Sequence, residues 1–451
     1  MPPCTAARIL RYCRPQEAAY PNDLLYLPYL SISYANVLSL KLSSYSGFSE
    51  PVIRGDAVRM SWFGRIRHRV TQCKGIPRGG SCLFLWLIGN NRQGVVGRIG
   101  AVCVTKRIVE FDYLRGIAII YIVLGHSISN SGQGFPLWLE NLLRGGTGVF
   151  VFVSGFFFHR IFYPRFAYKD FMLKKLQNVF VPFLVVSMVG LLLQSGELTF
   201  IHHKTWDVVL AADWKTLQTG FVLFPHWYIP FIMLTFAVSP VHKWYIEARP
   251  AIQWALFAAS FIASALIHRG EENINVIHSV FYFTPFYLLG ILYSQYQDSF
   301  YRHNKSIQWL CWVVMILAVY MQTYVDAHVG NYHKPAFEWR GVDWQMVQKM
   351  AACILLLELS RWMVGKPGAD HLHFLARISF AIFFLHPIFA VIIGTTIWYA
   401  GTHYGVHLPQ TLGWSLGFSL LMYLYLMYCT VALVLLLKRC LGERSRWVMG
   451  W

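Results

Sequence analysis

The chain has 451 residues, of which 56% are hydrophobic, 17% aromatic and only 13% charged. Soluble domains typically have about a quarter of their residues charged, so this composition excludes an ordinary soluble globular protein. The formal net charge of +18 divides evenly, with +9 in residues 1–103 and +9 in the remainder, where basic residues cluster beside apolar segments. That clustering is typical of the cytoplasmic loops of a membrane protein and does not indicate nucleic-acid binding.

Residues 1–103 differ from the rest of the chain because they show no sustained periodicity of a helix or a strand. Their one apolar run, at 82–89, is too short to span a bilayer, and no cleavable signal pattern follows Met1. Three interpretations are open: a disordered basic arm, a small unfamiliar domain, or translation from a start site that lies too early. We favour the third, with the chain beginning near Val102 or Val104, and we assign no function to this N-terminal extension.

From residue 104 onward, apolar blocks of about 20 residues alternate with short polar loops, which is the length that crosses ~30 Å of hydrocarbon. This pattern predicts an all-α, polytopic membrane protein with about ten transmembrane helices, in a domain covering 104–446. The second block is short before His159 and Arg160, so a re-entrant segment is the alternative there. The predicted spans are 113–131, 146–164, 176–194, 222–241, 250–268, 276–294, 307–324, 345–362, 378–400 and 413–437.

The distribution of Lys and Arg predicts the orientation of these spans. Basic residues concentrate before the first span and in every second loop, whereas the intervening loops collect Asp and Glu. Cytoplasmic loops carry the excess of Lys and Arg, so both termini are predicted to be cytoplasmic, with 195–220 and 325–344 outside.

The nine cysteines show neither Cys-x-x-Cys nor Cys/His ligand spacing. No metal site and no disulfide framework is therefore predicted.

The first apolar block, FDYLRGIAIIYIVLGH, carries an arginine at its start and a histidine at its far end. Arg115 and His126 are eleven residues apart, which places them on one helical face about 16 Å apart along the axis. Ionisable groups within a membrane are costly, and they usually mark a pathway or a reaction centre. The alternatives are a histidine bonded to a neighbouring helix and an arginine that is only a boundary charge.

Four segments, in order and at matching spacing, resemble the acyltransferase-3 family of membrane-embedded O-acyltransferases of bacterial surface polysaccharides. The first carries the family's Arg-x10-His arrangement at Arg115 and His126, and the second ends in Ser-Gly-Phe at Ser154. Together the four cover about 104–440. They read FDYLRGIAIIYIVLGH (111–126), GGTGVFVFVSGFFF (145–158), HWYIPFIMLTFAVSP (226–240) and ISFAIFFLHPIF (378–389).

The resemblance implies transfer of an acyl group, acetyl first among them, from cytoplasmic acyl-CoA to a hydroxyl of a cell-surface or exported saccharide. It implies acyl-CoA as donor substrate, a saccharide or glycolipid acceptor, membrane lipids as surroundings, and no permanently bound cofactor. It also implies a location in the inner, or plasma, membrane of a bacterium. Histidine is the usual general base at neutral pH, so His126 is predicted to take the hydroxyl proton. Arg115, at the cytoplasmic end, is predicted to orient the phosphate-bearing donor.

Three further residues at the cytoplasmic end are candidates for donor binding. Asp112 precedes Arg115 by three residues, so it either holds the guanidinium or is a surface charge. Lys174 and Lys175 stand where the family usually carries arginines. Lysine meets phosphate as a point charge without arginine's planar fork, so anion binding and an ordinary cytoplasmic cluster remain open.

Four candidates for substrate binding lie deeper in the chain. Ser154 belongs to the second motif. His226 and Trp227 begin the third motif, in a region where an aromatic belt is expected in any case. His386 precedes Pro387, so it either contacts the acceptor or bonds a carbonyl that the proline frees.

A polytopic transporter or flippase for a glycan or an anionic solute is the rival interpretation, with Arg115 and His126 lining the pathway. Many transporters contain internal repeats. The first and second five spans show no convincing similarity, which favours the enzyme.

Overall fold

The structure is a computed structural model that describes residues 108–451. Within this range it is built from helices, and the one pairing of extended residues is an isolated bridge between Arg269 and His333. This confirms the all-α prediction for the part of the chain that the structure describes. The N-terminal extension predicted at 1–103 lies outside the described residues, as do the first residues of the predicted domain.

The described chain forms sixteen α-helices, with short 3₁₀ or π-helical turns extending several of them. They are α1 (Val109–His126), α2 (Leu137–Leu143), α3 (Thr147–Phe157), α4 (Tyr168–Lys175), α5 (Val181–Gly196), α6 (Trp206–Thr219), α7 (Tyr228–Ala237), α8 (Ser239–Glu247), α9 (Pro250–Ile267), α10 (Val276–Gln295), α11 (Gln297–Arg302), α12 (Asn304–Tyr320), α13 (Trp344–Trp362), α14 (Ala369–Tyr404), α15 (Leu412–Leu441) and α16 (Ser445–Met449).

Seven helical stretches of the described chain are long and apolar enough to cross a membrane. Each of the ten predicted ranges overlaps a helix, but three of those helices are not among the seven. α1 and α13 each carry three charged residues, and α7 is only 10 residues long. The chain is thus a multi-pass membrane protein, while the total of ten spans and the orientation remain predictions. The seven stretches are Leu137–Arg165, Tyr168–Ile201, Pro250–Ile267, Val276–Gln295, Asn304–Val325, Ala369–Tyr404 and Leu412–Met449.

Helix α1 lies inside the bundle, where it packs against α14, α13 and α3. Its approach to α14 depends on Gly116, since a Cβ atom there would lie 2.5 Å from the carbonyl oxygen of Leu372. Small residues let membrane helices pack backbone to backbone, where dispersion contacts replace the hydrophobic effect as the driving force. The start of α1 is fixed by Phe111, which is fully buried and stacks on Phe156 with ring centres 3.4 Å apart.

Helix α1 ends at His126, five residues before the end of the predicted span. The Ser127 hydroxyl donates to the Val123 carbonyl at 2.7 Å, and Asn130 adopts a positive φ of 51°. The chain that follows is held by α15, because the Ser129 amide donates to the Ser419 hydroxyl at 2.9 Å. His126 therefore stands at a helix end whose outgoing chain is fixed in place.

Candidate functional site

His126 faces a space inside the protein. Its side chain keeps a large accessible surface, although protein atoms surround it. Its ring lies 4.6 Å from the Phe224 ring and 5.6 Å from the His386 ring, measured between centres. No hydrogen bond or ion pair joins the imidazole to another of the residues described, so the alternative of a histidine bonded to a neighbouring helix is not what the structure shows.

His386 is fully buried on α14 and uses one ring nitrogen on the backbone. Its Nδ1 donates to the Ile382 carbonyl at 2.8 Å and lies close to the Phe383 carbonyl, which Pro387 deprives of its usual donor. A bond between His386 and a backbone carbonyl of its own helix thus accounts for only one of the two ring nitrogens. Nε2 has no hydrogen-bond partner in the described structure.

His226, just before α7, is also fully buried. Its Nε2 is 3.4 Å from the Phe384 carbonyl, a long contact, and its Nδ1 has no partner among the described residues. The adjacent Trp227 ring is 8% exposed and lies under the Arg269 guanidinium, whose central carbon is 4.6 Å from the ring centre. Trp227 is thus packed against a cation.

Arg115 lies on the same helix pair as His126. Its guanidinium donates to the Ser379 hydroxyl of α14 at 3.2 Å, and its Nη1 is 4.0 Å from a carboxylate oxygen of Asp112. Asp112 therefore lies where it can hold the guanidinium. Because Ser379 and His386 both belong to α14, α1 and α14 together present Arg115 at one level and His126 at another.

The two lysines of the basic segment occupy different environments. Lys174 is exposed. The Lys175 ammonium lies over the rings of Phe162, Phe171 and Phe236, at 4.6, 5.3 and 4.2 Å from their centres. Lys175 is close enough to Arg115 for the two charges to repel one another, so the structure brings only this lysine towards the arginine.

Ser154 lies within α3, where its hydroxyl donates to the Phe150 carbonyl at 2.8 Å. The buried Tyr228 hydroxyl of α7 lies against it. Ser154 therefore joins α3 to α7 in the interior. No described contact links it to His126 or Arg115.

Two arginines outside the four sequence motifs also act electrostatically on His126. Arg144, after α2, donates to the buried Glu140 carboxylate at 2.9 and 2.5 Å. Arg269 follows α9 and covers Trp227. Nothing in the sequence spacing of these two arginines indicates that both lie near His126.

His333, in the loop before α13, is also close enough to Arg269 and Arg144 for their charges to act on it. Its Nδ1 donates to the Gly270 carbonyl at 3.0 Å. His333 keeps an exposed surface, but desolvation by the protein atoms around it, together with the charges of Arg269 and Arg144, lowers its pKa. This imidazole is therefore neutral at physiological pH.

Comparison with protein families gives a match to the acyltransferase-3 model, described as an acyltransferase domain, over residues 108–439. The match covers most of the chain and includes all of the residues of the site. Comparison with curated proteins and with solved structures gave no match.

Proposed function

This chain belongs to the acyltransferase-3 family, and we propose that it is an O-acyltransferase that moves an acetyl group from cytoplasmic acyl-CoA to a hydroxyl of a cell-surface or exported saccharide. Family membership and the apolar helices make it a multi-pass membrane protein of an acyltransferase family. The donor, the acceptor and a bacterial inner-membrane location belong to the proposal.

The observation that carries the proposal is an imidazole without a hydrogen-bond partner in the described structure, facing an interior space at the end of α1. A hydroxyl group becomes a sufficient nucleophile when a base takes its proton as the new bond forms. We assign that role to His126. The acceptor oxygen attacks the thioester carbonyl carbon, the C–S bond breaks, and the proton held by His126 passes to the departing thiolate of CoA.

Donor binding is supported by the cations at the other end of the same helix pair. A guanidinium has five N–H donors in a planar fork that matches phosphate, and Arg115 is steadied by Ser379 and Asp112. Lys175 adds a second cation nearby. CoA phosphates bound here would leave its extended pantetheine arm to carry the thioester along α1 towards His126.

The test of this assignment is His126→Ala, assayed with purified protein, radiolabelled acetyl-CoA and total surface glycan. Removing a general base typically costs ~10²–10⁴-fold in rate, so transfer is expected to fall by that factor while acetyl-CoA binding stays nearly intact. His407→Ala, at an exposed histidine, is the matched control and should keep the wild-type rate.

Transfer by His126→Ala at the wild-type rate would refute the assignment of the base. The transporter interpretation prevails if wild-type protein neither binds nor turns over acetyl-CoA but moves an intact glycan lipid between the leaflets of a vesicle.

A further inference from the structure

A general-base histidine needs a partner for its second nitrogen. When one imidazole nitrogen accepts a proton, the other already carries one, and a fixed acceptor for that N–H sets the tautomer and the ring orientation. In many enzymes a carboxylate serves as this acceptor. His126 likewise requires a nearby group that can accept its second N–H.

The surroundings of His126 offer no available carboxylate. The described groups that act electrostatically on it are His386, Arg144 and Arg269. Glu140, which pairs with Arg144, and Asp343, which lies beside His268, are already engaged. Glu140 accepts from Ser131, from the Gly132 amide and from Arg144. Asp343 accepts from Tyr282, from Asn331 and from the amide of Met346.

His386 has the properties that the missing partner requires. Its Nδ1 is committed to the Ile382 carbonyl as a donor, so its Nε2 carries the lone pair in the neutral ring. That nitrogen is buried and has no partner among the described residues. A buried acceptor left unpaired costs free energy, which a bond formed during the reaction would recover.

The distance between the two histidines is close to that of a direct bond. An N–H···N bond of about 2.9 Å puts the centres of two imidazole rings about 5 Å apart, and the observed separation is 5.6 Å. Phe224 packs on both rings, at 4.6 and 6.0 Å between centres. A small rotation of His126, whose ring has room in the interior space, is enough to close the gap.

We propose that His386 is a positioning residue for the transfer reaction, whose Nε2 accepts the N–H of His126 and turns the other His126 nitrogen towards the acceptor hydroxyl. This inference rests on the proposed function. A neutral acceptor does not require a further ion to be buried beside the His126 ring. The bond from Nδ1 to the Ile382 carbonyl fixes the tautomer of His386 as well.

Two substitutions at His386 separate positioning from packing. His386→Gln can donate to the Ile382 carbonyl with its amide and accept from His126 with its oxygen, whereas His386→Met fills similar space and can do neither. We expect His386→Met to lower kcat by about 10–100-fold, the usual cost of losing the group that orients a functional histidine. KM for acetyl-CoA should stay within about twofold of wild type, and His386→Gln should restore most of kcat.

His242→Met is the matched control, because His242 is a buried histidine with an unpartnered Nδ1 that packs on Tyr287, 4.4 Å between ring centres. It should leave kcat near the wild-type value. A second readout is the double variant: a residue that acts only through His126 adds little further loss when its substitution is combined with His126→Ala.

Wild-type kcat in His386→Met overturns the inference, as does a raised KM with kcat unchanged, or a full additional loss in the His126→Ala background. These outcomes differ from failure of the proposed function, which would show as an active His126→Ala variant or as wild-type protein without turnover. Wild-type protein without turnover overturns both.

Discussion

At the scale of single residues, the end of the site around Arg115 holds two cations with different surroundings. Arg115 is steadied by polar partners on α1 and α14. Lys175 instead lies over three phenylalanine rings. The negative faces of aromatic rings attract a cation, so the three rings hold the Lys175 ammonium in place beside Arg115. The arginine supplies directed hydrogen bonds and the lysine supplies charge.

Substitution of Arg115 should change donor binding in two distinguishable steps. A hydrogen bond to a charged group contributes about 1.5–3 kcal/mol, so Arg115→Ala should raise KM for acetyl-CoA roughly 10–100-fold. Arg115→Lys keeps the charge but loses the planar fork, and it should recover only part of the affinity. Equal donor affinity for wild type and Arg115→Ala, measured by equilibrium binding, would remove the arginine from the donor site.

The neighbouring lysines provide a matched pair for a second experiment. Lys175→Met should raise KM for acetyl-CoA, and the rise should shrink at high ionic strength, because the interaction lost is one of charge. Lys174→Met should change KM less, since the Lys174 side chain is exposed and does not lie over the three phenylalanine rings. Equal effects of the two substitutions would favour an ordinary cytoplasmic charge cluster.

At the scale of helices, glycine contacts determine how closely the bundle packs. α3 and α10 touch at Gly155 and Gly290: a Cβ atom at Gly155 would collide with the Tyr287 carbonyl, and one at Gly290 with the Phe152 carbonyl. Backbone atoms cannot move aside as the end of a flexible side chain can. The pair is therefore held at a single separation, as α1 and α14 are at Gly116.

Gly155→Ala should consequently destabilise the protein. Overpacking typically costs about 1–3 kcal/mol, and a collision with backbone belongs at the upper end. The control is Gly196→Ala, in α5, where nothing lies within 4 Å of the added atom. Replacing glycine by alanine within a helix there should be neutral or stabilising. Thermal unfolding in detergent should show a lower midpoint only for Gly155→Ala. Unchanged midpoints in both variants would show that α3 and α10 can move apart to accommodate the added methyl group.

At the scale of the whole molecule, the predicted topology can be tested by labelling. Single cysteines at Asp207 and Glu338, both exposed, should react with an impermeant maleimide from outside in a cysteine-free background. A cysteine at the exposed Lys366 should react only after the membrane is opened. Protection of either of the first two positions in intact cells would contradict a ten-span protein with both termini inside.

Hydrophobic blocks predicted where helices occur but not how long they are. Hydrophobicity reports the length in contact with lipid, whereas a helix continues while its backbone bonds remain paired. Thus α14 runs for 36 residues, although its predicted span was 378–400. The short helices α2 and α6 were not predicted, because they lie between the apolar blocks.

For the candidate site too, local sequence predicts some features and not others. The spacing of Arg115 and His126 fixed their common face, because helix geometry is local. Their partners on α14 are set by tertiary packing: Ser379 lies 264 positions from Arg115 along the chain. No periodicity in one helix predicts such a neighbour. The sequence motifs on α1 and α14 indicated that each helix carries functional residues. That the two helices pack against each other, at Gly116, is known only from the structure.

The unbroken course of α1 between Arg115 and His126 has a consequence for substrate selection. A proline-free helical segment of eleven residue steps keeps its two ends about 16 Å apart and cannot shorten to suit its ligand. A donor whose phosphates bind at one end must therefore have an arm of matching reach to place its carbonyl at the other. In the proposed reaction this separation selects carriers by length, independently of which acyl group they hold.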